Sequence, residues 1–433
     1  MTRLDIKNWV EKAVHWFEGG RAPRKLDALL LDRPVPSGDR FALASHREAL
    51  DGLGAKEPIA EQTAGLGDTG FRLDRVKVAQ TFDSAHPVRS RSELFGRALE
   101  LDAMLSATVD FGQHVIIHGA RGSGKTSLVR VFGDHADGQG AVVIYMACEP
   151  DVSFAALARP YLQALPTTAL VPQERAHFQS ALAALPETFG PRAFVELVAE
   201  RVSGPVILIF DEFDRITDTR VKAEMAVAMK LLSDALANVL FVLVGIAHSV
   251  SDVIDCHPSL RRHMRVVSLG RIEADSVKEL IDAGEATTGL VFKEEARVII
   301  GRASCGSPFH VRMFCHHAAI AALMRGSSSV SGSDARRGLR SAIEQWAAMN
   351  REDAQYFLRL VESGVRLPEI EEVAHAAALV DKIPDENESA RALLGDTIVV
   401  EENGAQTFVF RDSVAPQFLI AYVILAEAAV GLD

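Results

Sequence analysis

The sequence predicts an α/β fold on a parallel sheet, followed by a helical unit and a second helical unit with a hairpin. Three observations predict it. Near-continuous Val/Ile/Leu runs at 114–118, 141–146, 205–210, 239–245 and 265–269 alternate with helical patterns, as expected of strands covered on both faces. The first run leads into Gly119-Ala120-Arg121-Gly122-Ser123-Gly124-Lys125-Thr126 and then a helix start at Ser127. The third run ends in Asp211-Glu212.

In chain order, residues 4–18 place Ile6, Trp9, Val10, Ala13, Val14 and Phe17 at helical spacing, and Gly19-Gly20 ends the pattern. From about 20 to 90 the chain is rich in Pro, Gly and mixed charge. Residues 1–90 therefore read as an amphipathic helix, expected to dock on the chain's own core or on a partner, and a loose arm. The strand-bearing core spans 91–270. Residues 271–330 lack a strand pattern and read as a small helical lid, and Gly326–Ser333 reads as a Gly/Ser linker. Within 331–433, helices are expected near 335–350, 352–363, 369–380 and 387–394. A hairpin follows at 397–400 and 407–410, turning at Glu402-Asn403-Gly404, and then a long apolar helix near 413–430. The last three of these helices and the hairpin give a winged-helix-like outline.

Composition excludes several classes. At 48% hydrophobic and 24% charged, the 433 residues are ordinary globular material for two or three domains. The net charge of -12 disfavours anionic surfaces. Cys148, Cys256, Cys305 and Cys315 are widely spaced, without a CxxC pair. No apolar run approaches a membrane span, and Met1-Thr2-Arg3-Leu4-Asp5 opens no signal-peptide core. Reduced thiols and a cytoplasmic location are the expectation.

The chemistry begins at 119–126, a phosphate-binding P-loop in its strand-to-helix context. Its glycines let backbone N–H groups curl around a phosphate, and the helix N-terminus faces the same anion. Lys125 reaches the β- and γ-phosphates, the Thr126 hydroxyl ligates Mg²⁺, and Ser127 opens the helix. Asp211 is the second metal-side group, directly or through water. Glu212 is the candidate to polarise the attacking water. The run 239–245 ends near His248 and Ser249, and His248 or Ser249 is the candidate to orient that water. Arg261, Arg262 and Arg265 precede or open the last strand. They read either as solvated surface or as a finger reaching the γ-phosphate of a neighbouring subunit.

Together these residues resemble the AAA+ ATPases, specifically the clade related to origin-recognition ATPases and the STAND signalling ATPases. Leu94-Phe95-Gly96-Arg97-Ala98-Leu99-Glu100-Leu101 is similar to the clade's motif preceding the P-loop, with Ala98 in place of a Glu. Gly306-Ser307-Pro308 resembles its Gly-x-Pro opening a lid helix. The resemblance covers roughly 90–325. It implies a P-loop NTPase (AAA+) fold, ATP and Mg²⁺ as cofactors, and Gly96 and Arg97 lying against adenine and ribose. It also implies Pro308 and the lid helix over the nucleotide. Phe309 stands where the sensor 2 arginine is usual, with Arg312 one turn further on, and His248 stands where Asn is common.

Two roles for the ATPase remain at this point. Between 351 and 411 thirteen acids face six bases. A DNA-linked loader or regulator would bring that winged-helix-like unit to phosphate, which its charge repels. A nucleotide-dependent switch or assembly factor acting on a protein partner, or on further copies of the chain, fits the charge better.

Overall fold

Residues 66–245, 258–380, 382–383, 388–402 and 406–430 are described, from a computed structural model. The helix expected at 4–18, His248 and Ser249 lie outside the described residues. The end of the supposed loose arm is ordered, which corrects that expectation. Leu66–Thr81 forms helix α1, and Val78 and Phe82 are buried four residues apart. The ring of Phe82 meets Phe292 edge-on at 5.7 Å. The high polarity of the segment hides this two-residue apolar anchor.

The core runs through α2 (Ala98–Leu105), β1 (His114–Gly119), α3 (Lys125–Gly138), β2 (Val142–Ala147) and α4 (Phe154–Ala164). It continues with α5 (Arg175–Ala184), α6 (Pro191–Val198), β3 (Val206–Asp211), α7 (Thr219–Asp234), β4 (Val239–Gly245) and β5 (Met264–Leu269). The strands pair in parallel in the order β2-β3-β4-β1-β5. Each lies where the apolar runs put it. Alternate residues serve opposite faces: Leu208, Phe210 and Phe241 enter one cluster, and Ile207, Ile209 and Val242 enter the other. Helices cover both faces, which is why the strands read as continuous rather than alternating apolar runs.

The lid contains α8 (Ala274–Thr288), α9 (Glu294–Ser304) and α10 (Pro308–Met324). A two-residue parallel pair, β6 (Val291–Phe292) with β7 (Ser329–Val330), ties its ends, too short to show any period in sequence. The stretch read as a linker holds β7 and the start of α11 (Gly332–Met349), whose Ser331 and Asp334 form a reciprocal capping box. Then come α12 (Arg351–Glu362), α13 (Leu367–Val380), α14 (Glu388–Leu394), the antiparallel hairpin β8 (Ile398–Glu402) and β9 (Gln406–Phe410), and α15 (Ala415–Val430). Helices followed by a hairpin match the winged-helix-like outline. Trp346 stacks between Phe357 at 5.8 Å and Phe418 at 4.8 Å, fastening α11, α12 and α15. One apolar cluster runs from Val78 through the lid to Ile424, so lid and C-terminal unit share a core.

A charged cluster reinforces that junction. The Arg302 guanidinium donates to Glu371 at 2.7 Å and to Glu427 at 2.6 Å. His375 lies 3.6 Å from Glu371 and 3.3 Å from the Cys305 sulfur. Burial alone would lower the His375 pKa, but Cys305 and Glu371 push it up to about 10. An imidazole raised in the folded state stabilises the fold below its ordinary 6.5, and that contribution disappears as pH rises through about 10. Urea unfolding should therefore show the protein losing on the order of 1–2 kcal/mol across this window. The His375→Gln variant should not show that loss.

Candidate nucleotide site

The C-terminal ends of β1 and β3 flank β4, so the P-loop and Asp211-Glu212 face one cleft of about 730 Å³. Such crevices at strand carboxyl ends are the usual ligand position in open α/β sheets. Arg121 to Ser127, Asp211, Glu212, Arg97, Pro308 and Arg312 all line it. Gly96, Gly119 and Ala120 are not among its lining residues, though the carbonyls of Gly119 and Ala120 accept from Lys125.

The loop is held open by its own backbone. Gly122 has φ 76°, and a Cβ there would meet the Ser307 hydroxyl at 3.0 Å, so a side chain would be strained and would push the lid off the loop. Lys125, first residue of α3, donates from Nζ to the carbonyls of Gly119 at 2.7 Å and Ala120 at 3.1 Å. The ammonium is thus already curled over the loop where phosphates would enter. Lys125, after burial, also keeps His118 below the ordinary imidazole pKa, so that ring is neutral beside it.

Asp211 is 3% exposed and closes β3. The Thr126 hydroxyl donates to its Oδ2 at 2.9 Å, the Tyr145 hydroxyl donates to the same oxygen at 2.5 Å, and the Glu212 N–H donates to Oδ1 at 2.8 Å. Burial first, then the Asp211 charge, raise the Tyr145 phenol well above its ordinary pKa, so it is a donor at neutral pH. Adjacent hydroxyl and carboxylate oxygens beside a helix N-terminus are hard donors suited to Mg²⁺. Thr126 and Asp211 fit that ion, which would neutralise phosphate charge.

Glu212 sits at φ 53°, a left-handed conformation that turns its side chain away from the strand. Its carboxylate meets the Arg215 guanidinium at 2.9 Å, with both side chains about half exposed, at 53% and 51%. Arg215 is therefore a partner of Glu212 within the same chain. Such an exposed pair opens at a cost of about 0–1 kcal/mol, so Glu212 remains available to a water molecule.

Arg97 is 3% exposed and acts as a fastener. It pairs with Glu100 at 3.0 Å and donates to the Ser123 carbonyl at 3.0 Å and to the Gly270 carbonyl. Gly96, at φ 65°, lets the chain pass Ser276, whose hydroxyl would lie 2.7 Å from an added Cβ. Gly96-Arg97 thus joins the P-loop to the start of the lid. Across the cleft, Ser307 donates to the Gly122 carbonyl at 3.2 Å, and Phe309 lines the wall. Arg312 donates to the Thr81 carbonyl at 3.3 Å and the Glu93 carbonyl at 3.0 Å while facing the cleft. Arg261, Arg262 and Arg265 are exposed and lie outside the lining.

Two contributors were missed in sequence. The segment Asp83–Val88, assigned to the arm, forms one wall, and the Val88 N–H donates to the Ser127 hydroxyl at 3.3 Å. Tyr145 lies within the apolar run at 141–146, and only the pairing of β2 with β3 brings its hydroxyl to Asp211.

Fold and site define a P-loop nucleoside triphosphatase. Residues 93–242 match the family model described as AAA ATPase domain (AAA_16). The chain carries an AAA+ ATPase domain. No curated protein matches the sequence significantly. Among solved structures it is similar to Cdc6p from Pyrobaculum aerophilum, at 15% identity and TM-score 0.43 over 81% of this chain and 98% of that one. The ORC2 protein of Aeropyrum pernix gives 14% identity and TM-score 0.45 over 82% and 98%. The Thermotoga maritima RuvB Holliday junction branch migration motor gives 12% and 0.40 over 75% and 95%.

Proposed function

We propose that this AAA+ ATPase binds Mg·ATP at Lys125, Thr126 and Asp211, uses Glu212 to activate water, and works in the cytoplasm as a nucleotide-dependent switch or assembly factor on a protein partner or on copies of itself. One observation carries the reading: the cleft is bordered at once by the P-loop, the lid residues Pro308 and Phe309, and Val414 of the C-terminal unit. A nucleotide that draws the lid toward the P-loop therefore bears directly on the C-terminal unit, whose core is continuous with the lid. Two arrangements differing in such contacts are what a ligand can select between.

The charge of the C-terminal unit favours a protein client over DNA. Arg366 pairs with Glu369, Arg391 lies over the Phe408 ring at 4.0 Å, and Arg411 is 3.5 Å from Asp353. Cations engaged inside the unit contribute little to phosphate binding, on which DNA affinity depends. Arg261 and Arg262, both exposed, are the cations proposed to reach a neighbouring subunit.

Light scattering on a sizing column, with and without Mg·ATP, tests this. The expected result is a nucleotide-dependent change of mass or shape, with no DNA affinity tighter than about 10⁻⁵ M near physiological salt. Tight, steeply salt-dependent DNA binding with no effect of ATP on assembly would overturn the switch in favour of a DNA-linked ATPase.

A further inference from the structure

We propose that Tyr145 is a positioning residue for the metal-side carboxylate of the nucleotide site, holding Asp211 turned toward Thr126. The inference rests on the site reading above and adds a residue that the P-loop and Asp-Glu motifs do not include.

Strands β2 and β3 run in parallel with Ala147 opposite Asp211 and Tyr145 opposite Ile209. Tyr145 therefore stands two residues back on the neighbouring strand, and the length of a tyrosine carries its hydroxyl forward to the carboxylate. It reaches Asp211 Oδ2 at 2.5 Å, the oxygen that also accepts from Thr126. The other oxygen is taken by the Glu212 N–H. Donors on three different elements thus fix one carboxylate plane.

The ring itself is clamped. The Arg130 guanidinium lies over it at 5.1 Å from the centroid. Arg130 belongs to α3, whose first turn carries Lys125 and Thr126. The phenol is consequently braced between the helix that presents Thr126 and the strand that presents Asp211. A cation bound through a lone pair of the Thr126 oxygen leaves its O–H donating to Asp211, and Tyr145 adds a second side-chain donor on the same carboxylate oxygen that keeps it from swinging away. Groups that orient metal-side ligands in this way commonly set metal affinity without touching the ion.

The test uses the full chain, stripped of metal with EDTA, and a fluorescent ADP analogue whose binding is followed as Mg²⁺ is added. Tyr145→Phe keeps the ring and its Arg130 contact and removes only the hydroxyl. The expected result is a half-saturating Mg²⁺ concentration raised about tenfold, with nucleotide affinity in EDTA unchanged. A purely structural role would move the melting temperature in EDTA and leave the Mg²⁺ midpoint alone, and that outcome overturns the inference. Asp211→Asn distinguishes the two levels. If it abolishes Mg²⁺ dependence while Tyr145→Phe does not shift it, the Tyr145 inference fails alone. If Asp211→Asn also leaves Mg²⁺ dependence intact, the site reading fails first. Should Tyr145→Phe fold poorly, Arg130→Met loosens the ring with the hydroxyl in place. It is expected to raise the Mg²⁺ midpoint by a smaller factor, and no rise overturns the proposal.

Discussion

Replacing Glu212 by Gln is expected to lower ATP turnover by about 10²–10⁴-fold, the usual contribution of a positioned general base. ATP binding should survive, because the P-loop is untouched. The expectation follows from the geometry at the end of β3. Its left-handed backbone turns Glu212 out of the strand, and its carboxylate meets Arg215 in a half-exposed pair. The amide of Gln keeps the shape and loses the capacity to accept a proton. Single-turnover hydrolysis alongside equilibrium ATP binding separates the two effects. Turnover equal to that of the unmodified chain would remove Glu212 from the chemistry.

Lys125→Ala should act on binding instead. The ammonium is curled over the P-loop onto the carbonyls of Gly119 and Ala120, so it meets phosphate oxygens with little rearrangement. Charge-assisted hydrogen bonds to two phosphates are worth about 3–4 kcal/mol together, a loss of roughly 10²–10³-fold in ATP affinity. Calorimetric titration with a non-hydrolysable ATP analogue measures it. A melting temperature within a few degrees of the unmodified protein shows that the loop still folds. Retained affinity with an intact fold would mean that the triphosphate lies elsewhere.

Much of the core was legible because its signals are local. Five apolar runs of strand length gave five strands, and a glycine-rich turn between the first run and a helix gave the loop with its lysine. The hairpin near Asn403 and the helices of the C-terminal unit followed from turn residues and periodicity in the same way. The fate of the arm did not. Leu66–Thr81 is a helix docked by Val78 and Phe82, and buried residues spaced this sparsely among polar ones, in the part whose side chains are described, leave no period to detect. The Gly/Ser segment at 326–333 misled for a related reason. Serine favours both loops and helix caps, and the capping role of Ser331 requires Asp334 in place.

What the sequence by itself determined is the identity and order of the phosphate-binding and Asp-Glu elements, since each depends on residues adjacent in the chain. Only the tertiary structure decided which distant groups complete them. Tyr145 reaches Asp211 across 66 positions, Arg312 holds the carbonyls of Thr81 and Glu93, and Val414 borders the cleft opposite the P-loop. Propensity and period describe single elements. Contacts between elements are set by strand register and by how helices pack over a shared core, and that geometry has no local signature in the chain.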